Sequence, residues 1–509
     1  MDLNMSVSAI GLTIILFTVL LSSLLGWARK NNGSMPLPGP FALPIIGNLH
    51  QLGALPHRSL QRLAEQHGPI MMLKFGSVPV VVASSSQAAK QFLKTHDMSF
   101  LSRPSTTAGK YLFYNCKDIV FAPYGDYWRN IRKTCMLEML SAKRIESFKG
   151  VREEEALAMV RSIWQKSDKG RVGVDLSRII SCHTSDFMWR ILTGRTNADS
   201  LSGGTTFEEL IWKAAELMGA INIGDFIPCL DWLDLQGLRG RMKNVHQRID
   251  AVFDKIIDEH VERKGRRGAE EKERHKDLVD VLVEMEITVE EKKAILMDMF
   301  LGAIETETST LEWAMSELLR NPYVMKKLQE EIDFIVKKDE KIASSDIVGM
   351  EYLHCVVKET MRLYPIGPLL IPHESTEDCV VEGPHHDYFI PRKTRLIINA
   401  WAIGRDPKVW EDPLEFRPER FMGKNFDMIR DPELSMIPFG AGRRSCPGAS
   451  MAIANLEIAL VYLVHYFNWK CEGELDMNES FGITIPRKVH LFVIPTWRLK
   501  VNEPFYLKV

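Results

Sequence analysis

The hydrophobic pattern is most extreme at its start. From Val7 to Trp27 no charged residue interrupts a run dominated by Leu, Ile, Val and Phe. Twenty-one helical residues span roughly 31 Å, close to the thickness of a bilayer's hydrocarbon layer. Asp2 is the only charge before the run, and Arg29 and Lys30 follow it directly. A cleaved signal peptide would instead carry a basic leader and a shorter apolar core. The pattern therefore predicts a retained, single-pass anchor over 1–30, with its N-terminus in the lumen and the rest in the cytosol. No second run of comparable length follows. Prolines then alternate in Pro36-Leu37-Pro38-Gly39-Pro40, and fixed φ angles predict a stiff hinge over 31–40.

Beyond the hinge the period changes. Ser59–Gln66 opens an amphipathic helix, whereas Ile70–Val82 reads as two β-prone runs around Gly76-Ser77, a hairpin. Helical spacing prevails afterwards. The longest such segment runs from Thr288 to Asn321, where Pro322 ends it. Strand-like runs recur at Cys379–Val381, Thr394–Ile398 and Val489–Ile494, and the charged stretch Lys264–Lys276 reads as a solvated loop. The expected fold is mainly α with small β-sheets, one large domain over 41–509.

Composition adds limits. Apolar residues make up 45% of the 509 and the formal net charge is −2. No basic stripe marks a nucleic-acid binder, so no nucleic-acid partner is expected. The eight cysteines contain no C-x-x-C pair and do not form a disulfide framework. Most read as buried thiols.

Cys446 differs because of its neighbours, Phe439-Gly440-Ala441-Gly442-Arg443-Arg444-Ser445-Cys446-Pro447-Gly448. A glycine-rich turn brings backbone amides close to the sulfur. A helix opens at Ala449, and its N-terminal dipole favours thiolate over thiol. Arg444 supplies a cation suited to a carboxylate. The stretch resembles the haem-binding loop of the cytochrome P-450 superfamily, F-x-x-G-x-R-x-C-x-G, at every fixed position. Further segments fit the same resemblance in order and spacing. Glu359 and Arg362 look like the E-x-x-R pair, and Arg420 of Pro418-Glu419-Arg420-Phe421 joins them in a structural network. Trp128 and Arg132 look like the W-x-x-x-R pair that contacts a haem propionate, and His373 stands where another contact is often found. The resemblance thus implies haem b bound by Trp128, Arg132, His373, Phe439, Arg444, Cys446 and Gly448, with Cys446 as iron ligand.

Gly302-Ala303-Ile304-Glu305-Thr306-Glu307 resembles the family's oxygen-activating segment. Cleaving an O–O bond needs protons at the distal oxygen, and a hydroxyl beside a carboxyl can organise water for that delivery. Thr306 and Glu305 match these roles. Two residues depart from the pattern: Ala303 stands for glycine, and Glu307, for Thr or Ser, is expected to point to solvent.

The resemblance is to plant microsomal members and spans residues 36 to 509. It implies an O2- and NADPH-dependent monooxygenase in the endoplasmic reticulum membrane, served by a separate NADPH-cytochrome P-450 reductase and in contact with membrane lipid. It places substrate contacts at Tyr111, Phe113, Ala303, Leu369, Leu370, Phe481 and Ile483, an apolar lining suited to a small hydrophobic molecule. A terpenoid, hydroxylated at an allylic carbon of a monoterpene olefin, is the expected substrate; a phenylpropanoid or other specialised metabolite is the alternative. Two rivals remain: an O2-independent haem-thiolate isomerase or dehydratase, and a non-catalytic membrane haem protein.

Overall fold

A computed structural model describes residues 37–195, 206–266, 276–336, 342–383 and 387–499. The expected anchor and most of the hinge lie outside these residues. At the hinge's far end, the Pro38 carbonyl accepts from the Met72 amide at 2.8 Å, so the chain is tied to the sheet from that point.

The long helix is Val289–Arg320, and it organises the rest. Thr288 caps it: the Thr288 hydroxyl accepts from the Glu291 amide, and the Glu291 carboxylate accepts from the Thr288 amide. Pro322 then starts a new helix, Pro322–Ile335. The helix is buried along most of its length, so it is not amphipathic in the usual one-sided sense. Its first half, from Ala294 to Ile304, belongs to one apolar core. Its second half, from Leu311 to Leu318, belongs to another. The two cores meet between Ile304 and Leu311. Just before that junction Gly302 is exposed mid-helix, and a methyl group in place of its hydrogen would meet nothing within 4 Å.

The sheets are small, as expected. The hairpin is β1 (Ile70–Phe75) and β2 (Val78–Ala83), paired Phe75 to Val78 at the turn. Val174–Asp175 forms β3, His373–Glu374 β4, Cys379–Val381 β5, Tyr388–Ile390 β6, Arg395–Ile398 β7, Phe467–Cys471 β8 and Phe492–Trp497 β9. One sheet runs β1-β2-β7-β4, a second β3-β9-β8, and β5 pairs only with β6. The C-terminal strand lies later than the Val489–Ile494 run suggests, since Val489 and His490 are exposed. Helix Leu238–Arg266 also runs into the stretch read as a loop from Lys264.

Among the described residues one helix, Ala449–Tyr466, is long and apolar enough to cross a membrane, yet 72% of it is buried inside the fold. It is a core helix, packed against the central helix.

Candidate functional site

The 439–448 loop folds back on itself: the Cys446 amide donates to the Phe439 carbonyl at 2.8 Å. Gly442 has φ +71°, and a Cβ there would lie 2.6 Å from the Leu93 carbonyl oxygen, so only glycine fits. Cys446 ends directly before the helix beginning at Ala449. It is solvent-accessible, yet desolvation raises its thiol pKa. Backbone amides of Gly448 and Ala449 and the charge of Arg132 pull the other way, toward thiolate.

Beside it lies a cluster of buried cations. The Arg444 guanidinium donates to the carbonyls of Leu101 (2.8 Å), Ala122 (2.7 Å) and Ile119 (3.3 Å) and lies 3.9 Å from the Trp128 ring centroid. Arg132 donates to the Ser445 carbonyl at 2.6 Å. Arg103, which sequence reasoning missed, donates to Ile371 (2.6 Å), Pro372 (3.0 Å) and Val120 (3.2 Å). His373 Nδ1 is 2.8 Å from the Phe100 carbonyl oxygen. The Trp128 indole N–H is committed to the Ile119 carbonyl at 3.0 Å, so this side chain offers the site its ring face.

Desolvation, then repulsion among these cations, pushes Arg103 down to about 9 and Arg444 to about 8. The same two causes push His373 well below its ordinary value. None of the three arginines forms a salt bridge among the described residues. Carbonyl dipoles satisfy their donors without balancing their charge, and Asp118 offsets Arg103 and Arg444 only in part. Such a cluster fits an anionic group with more than one carboxylate, seated next to an amide-flanked thiol. A haem with its propionates has that chemistry, and the residues fit it.

The central helix supplies the acid and the hydroxyl. Thr306 Oγ1 donates to the Gly302 carbonyl at 2.7 Å. Glu305 is buried and accepts a hydrogen bond from the Thr484 hydroxyl, while its Oε2 has no partner among the described residues. Burial pushes its carboxyl up to about 7, against the lowering effect of Thr484. The two side chains therefore diverge although they are neighbours in sequence. Glu307 corrects an expectation. It is buried, not solvated, because this face of the helix packs on Ala449–Tyr466; its oxygens accept from Asn455 Nδ2 at 3.1 and 3.3 Å. Burial pushes it up to about 8.

The expected substrate residues differ in their surroundings. Phe113 is 1% exposed and packs on Phe121, centroids 4.8 Å apart, as core. The Tyr111 ring lies 5.5 Å from the Arg239 guanidinium and 5.0 Å from Lys243 Nζ. Phe481 stacks on His57 at 6.2 Å. Ile483 adjoins Gly219, and Leu370 adjoins Gly440 of the cysteine loop. Ala303 and Leu369 are half-buried.

The expected network forms around Glu359. Glu359 receives two bonds from Arg362 (2.7 and 2.8 Å), one from Arg420 (2.9 Å) and one from the Arg417 amide (2.8 Å). It is fully enclosed and touches no hollow.

Comparison with known proteins agrees with this geometry. The family model described as cytochrome P-450 matches residues 37–492. Cytochrome P-450 750A1 of Pinus taeda is 49% identical over 490 residues, covering 92% of each chain. Cytochrome P-450 71A1 of Persea americana is 43% identical, covering 88% of this chain and 91% of its own length. Strychnine-11-hydroxylase of Strychnos nux-vomica is 42% identical, covering 90% of each.

Proposed function

The chain belongs to the cytochrome P-450 family, and from that premise we propose that it is a membrane-anchored plant enzyme that hydroxylates a small apolar specialised metabolite. The family implies a haem-thiolate cofactor, and its plant relatives make the chain a P-450 monooxygenase. The observation that carries the reading is the accessible Cys446 beside cations with no carboxylate of their own.

Haem b, when bound, would supply the reductive activation of O2, one atom of which goes to the substrate and the other to water. Cys446 would hold it from one side, with the Gly448 and Ala449 amides moderating the sulfur's electron donation. Arg132, Arg444, Arg103 and His373 would receive its carboxylates, and the Trp128 ring would support Arg444 from below. Glu305, near half-protonated at neutral pH, can both give and take a proton, which suits a relay. The Thr306 hydroxyl would orient water toward the reacting oxygen. The Ala303 methyl narrows the clearance above the site and favours a compact substrate.

The half-buried apolar side chains Leu369, Leu370 and Ile483 suit a hydrocarbon-rich ligand, and a terpenoid hydroxylated at an allylic carbon is the first candidate. The strychnine-named relative favours a second class, a polycyclic specialised metabolite of another origin. Electrons would come from NADPH through a separate reductase. The uncharged run 7–27, followed by Arg29 and Lys30, supports a single-pass endoplasmic reticulum location.

The deciding experiment is a carbon monoxide difference spectrum of reduced microsomes carrying the protein or its Cys446→Ser variant. The red-shifted Soret band of a thiolate-ligated haem is expected in the first and absent from the second. Its absence from folded, haem-loaded protein overturns the reading. Turnover of a hydroperoxide without NADPH would move the chain to the isomerase class.

A further inference from the structure

A short loop, residues 118–122, connects the cation cluster to the central helix. On one side its carbonyls receive the cations: Ile119 accepts from Trp128 and Arg444, Val120 from Arg103, and Ala122 from Arg444. On the other side its amides are held by two carboxyls. The Phe121 amide donates to Asp118 Oδ2 at 2.8 Å, and the Ile119 amide donates to Asp298 Oδ2, on the central helix, at 2.6 Å.

The second oxygens, Oδ1 of Asp118 and Oδ1 of Asp298, are buried and receive no N–H or hydroxyl donor among the described residues. Both carboxyls bind amides of the same short loop, which sets them side by side. Two ionised carboxylates cannot hydrogen-bond to one another, because each only accepts. A bond between them requires a proton on one, as in any pair of acids sharing a site. Asp118 has no exposed surface, so water does not supply the missing donor.

We propose that Asp118 and Asp298 share a single proton that latches the 118–122 loop to the central helix and thereby positions the carbonyls holding Arg103 and Arg444. The pair touches no reacting atom, so both are positioning residues. With one proton it carries one negative charge, a partial offset to the nearby arginines. Losing that proton to solvent sets two like charges in contact, with Asp118 fully enclosed. The repulsion parts loop from helix and frees the Ile119 and Phe121 amides.

The other groups facing the pair fit this assignment. Arg103 and Arg444 attract the charge on Asp118. Tyr127, Cys116 and Cys135 are uncharged neighbours, each held above its ordinary value. Lys117 turns away to pair with Glu290. Burial raises both carboxyls, Asp118 to about 7, and the charge on Asp118 raises Asp298 further. Rising pH is therefore the direction that opens the latch.

Asp298→Asn tests this in the full-length, haem-loaded protein. An asparagine still accepts from Ile119 and offers Asp118 an N–H that does not titrate. Two readouts apply, neither of which involves turnover. The infrared spectrum of the native protein should contain a protonated-carboxyl band that the variant lacks. Hydrogen exchange over 118–122, normalised to intrinsic rates, should lose about tenfold protection between roughly pH 6 and pH 9 in the native chain and stay protected in the variant. Asp118→Asn, isosteric from the other side, should give the same two results and serves if the first variant does not fold. An unchanged infrared spectrum in the folded variants, or pH-independent protection in the native loop, overturns the proposal. A failed carbon monoxide test would leave it standing.

Discussion

Two clusters of arginine, buried or half-buried, are built on opposite plans. In the first, Arg362 and Arg420 bond directly to the Glu359 carboxylate, and the remaining Arg362 donors end on the carbonyls of Gly404, Pro413 and Glu415. In the second, Arg103, Arg132 and Arg444 reach carbonyls alone. A guanidinium with its own carboxylate is complete, and its work is to hold elements together. Buried guanidinia with only carbonyl dipoles have satisfied donors and unbalanced charge, and that imbalance is an offer to an anion from outside the chain. Charge bookkeeping thus separates a structural cluster from a binding one where burial and residue type do not.

The sharpest way to break the comparison is to remove one arginine from each cluster. Arg362→Met strips the buried Glu359 of two bonds and leaves it Arg420 as its one cation; breaking a buried pair costs up to about 3–5 kcal/mol. That is a large share of the stability of an ordinary domain. The variant should unfold at markedly lower denaturant and yield little haem-loaded protein. A denaturation midpoint equal to the native one would sink the assignment. Arg132→Leu should behave oppositely. This side chain is half-buried and makes one bond, to Ser445, so the unfolding midpoint should move little. What it loses is a charge-assisted bond to the bound group, worth about 1.5–3 kcal/mol, or a tenfold to hundredfold faster transfer of haem to an excess of scavenger protein. If unfolding shifts and haem release does not, Arg132 belongs with the structural cluster.

These clusters were unequally legible in the sequence. The Glu359–Arg362 spacing places both side chains on one helical face, so their pairing needs no knowledge of the fold. The loop around Cys446 is a contiguous motif, and Thr288 and Pro322 bracket the central helix by local rules alone. Arg103, Asp118 and Thr484 carry no local signal. Their partners stand far away in sequence, at Ile371, Asp298 and Glu305, and only the fold brings them together. Strand Phe467–Cys471 was hidden because it continues directly from an apolar helix with no turn residue between them. Glu307 was misread because helical charges usually face water, whereas here the helix is packed on nearly every side.

Glu307 also gives the finest test, since it is an anion-forming group whose direct bonds go to an amide, the converse of the arginine cluster. Its folded pKa of about 8 lies above the ordinary carboxylate value. Between those two values the folded chain holds a proton that the unfolded chain has released. Stability is then greatest below the ordinary value and falls as pH rises toward the folded one, by up to about 1.4 kcal/mol per pH unit. Glu305 and Asp118 slope the same way, so the native curve alone does not isolate Glu307. Glu307→Gln does, because the amide keeps the shape and cannot titrate. Between about pH 6 and about pH 7 the native chain should lose about 1 kcal/mol more than the variant, read from denaturation midpoints. Parallel curves would mean that Glu307 is already ionised in the fold. Arg152, whose charge already favours that ionised form, would then be its counterion, and the residue would join the complete kind of cluster.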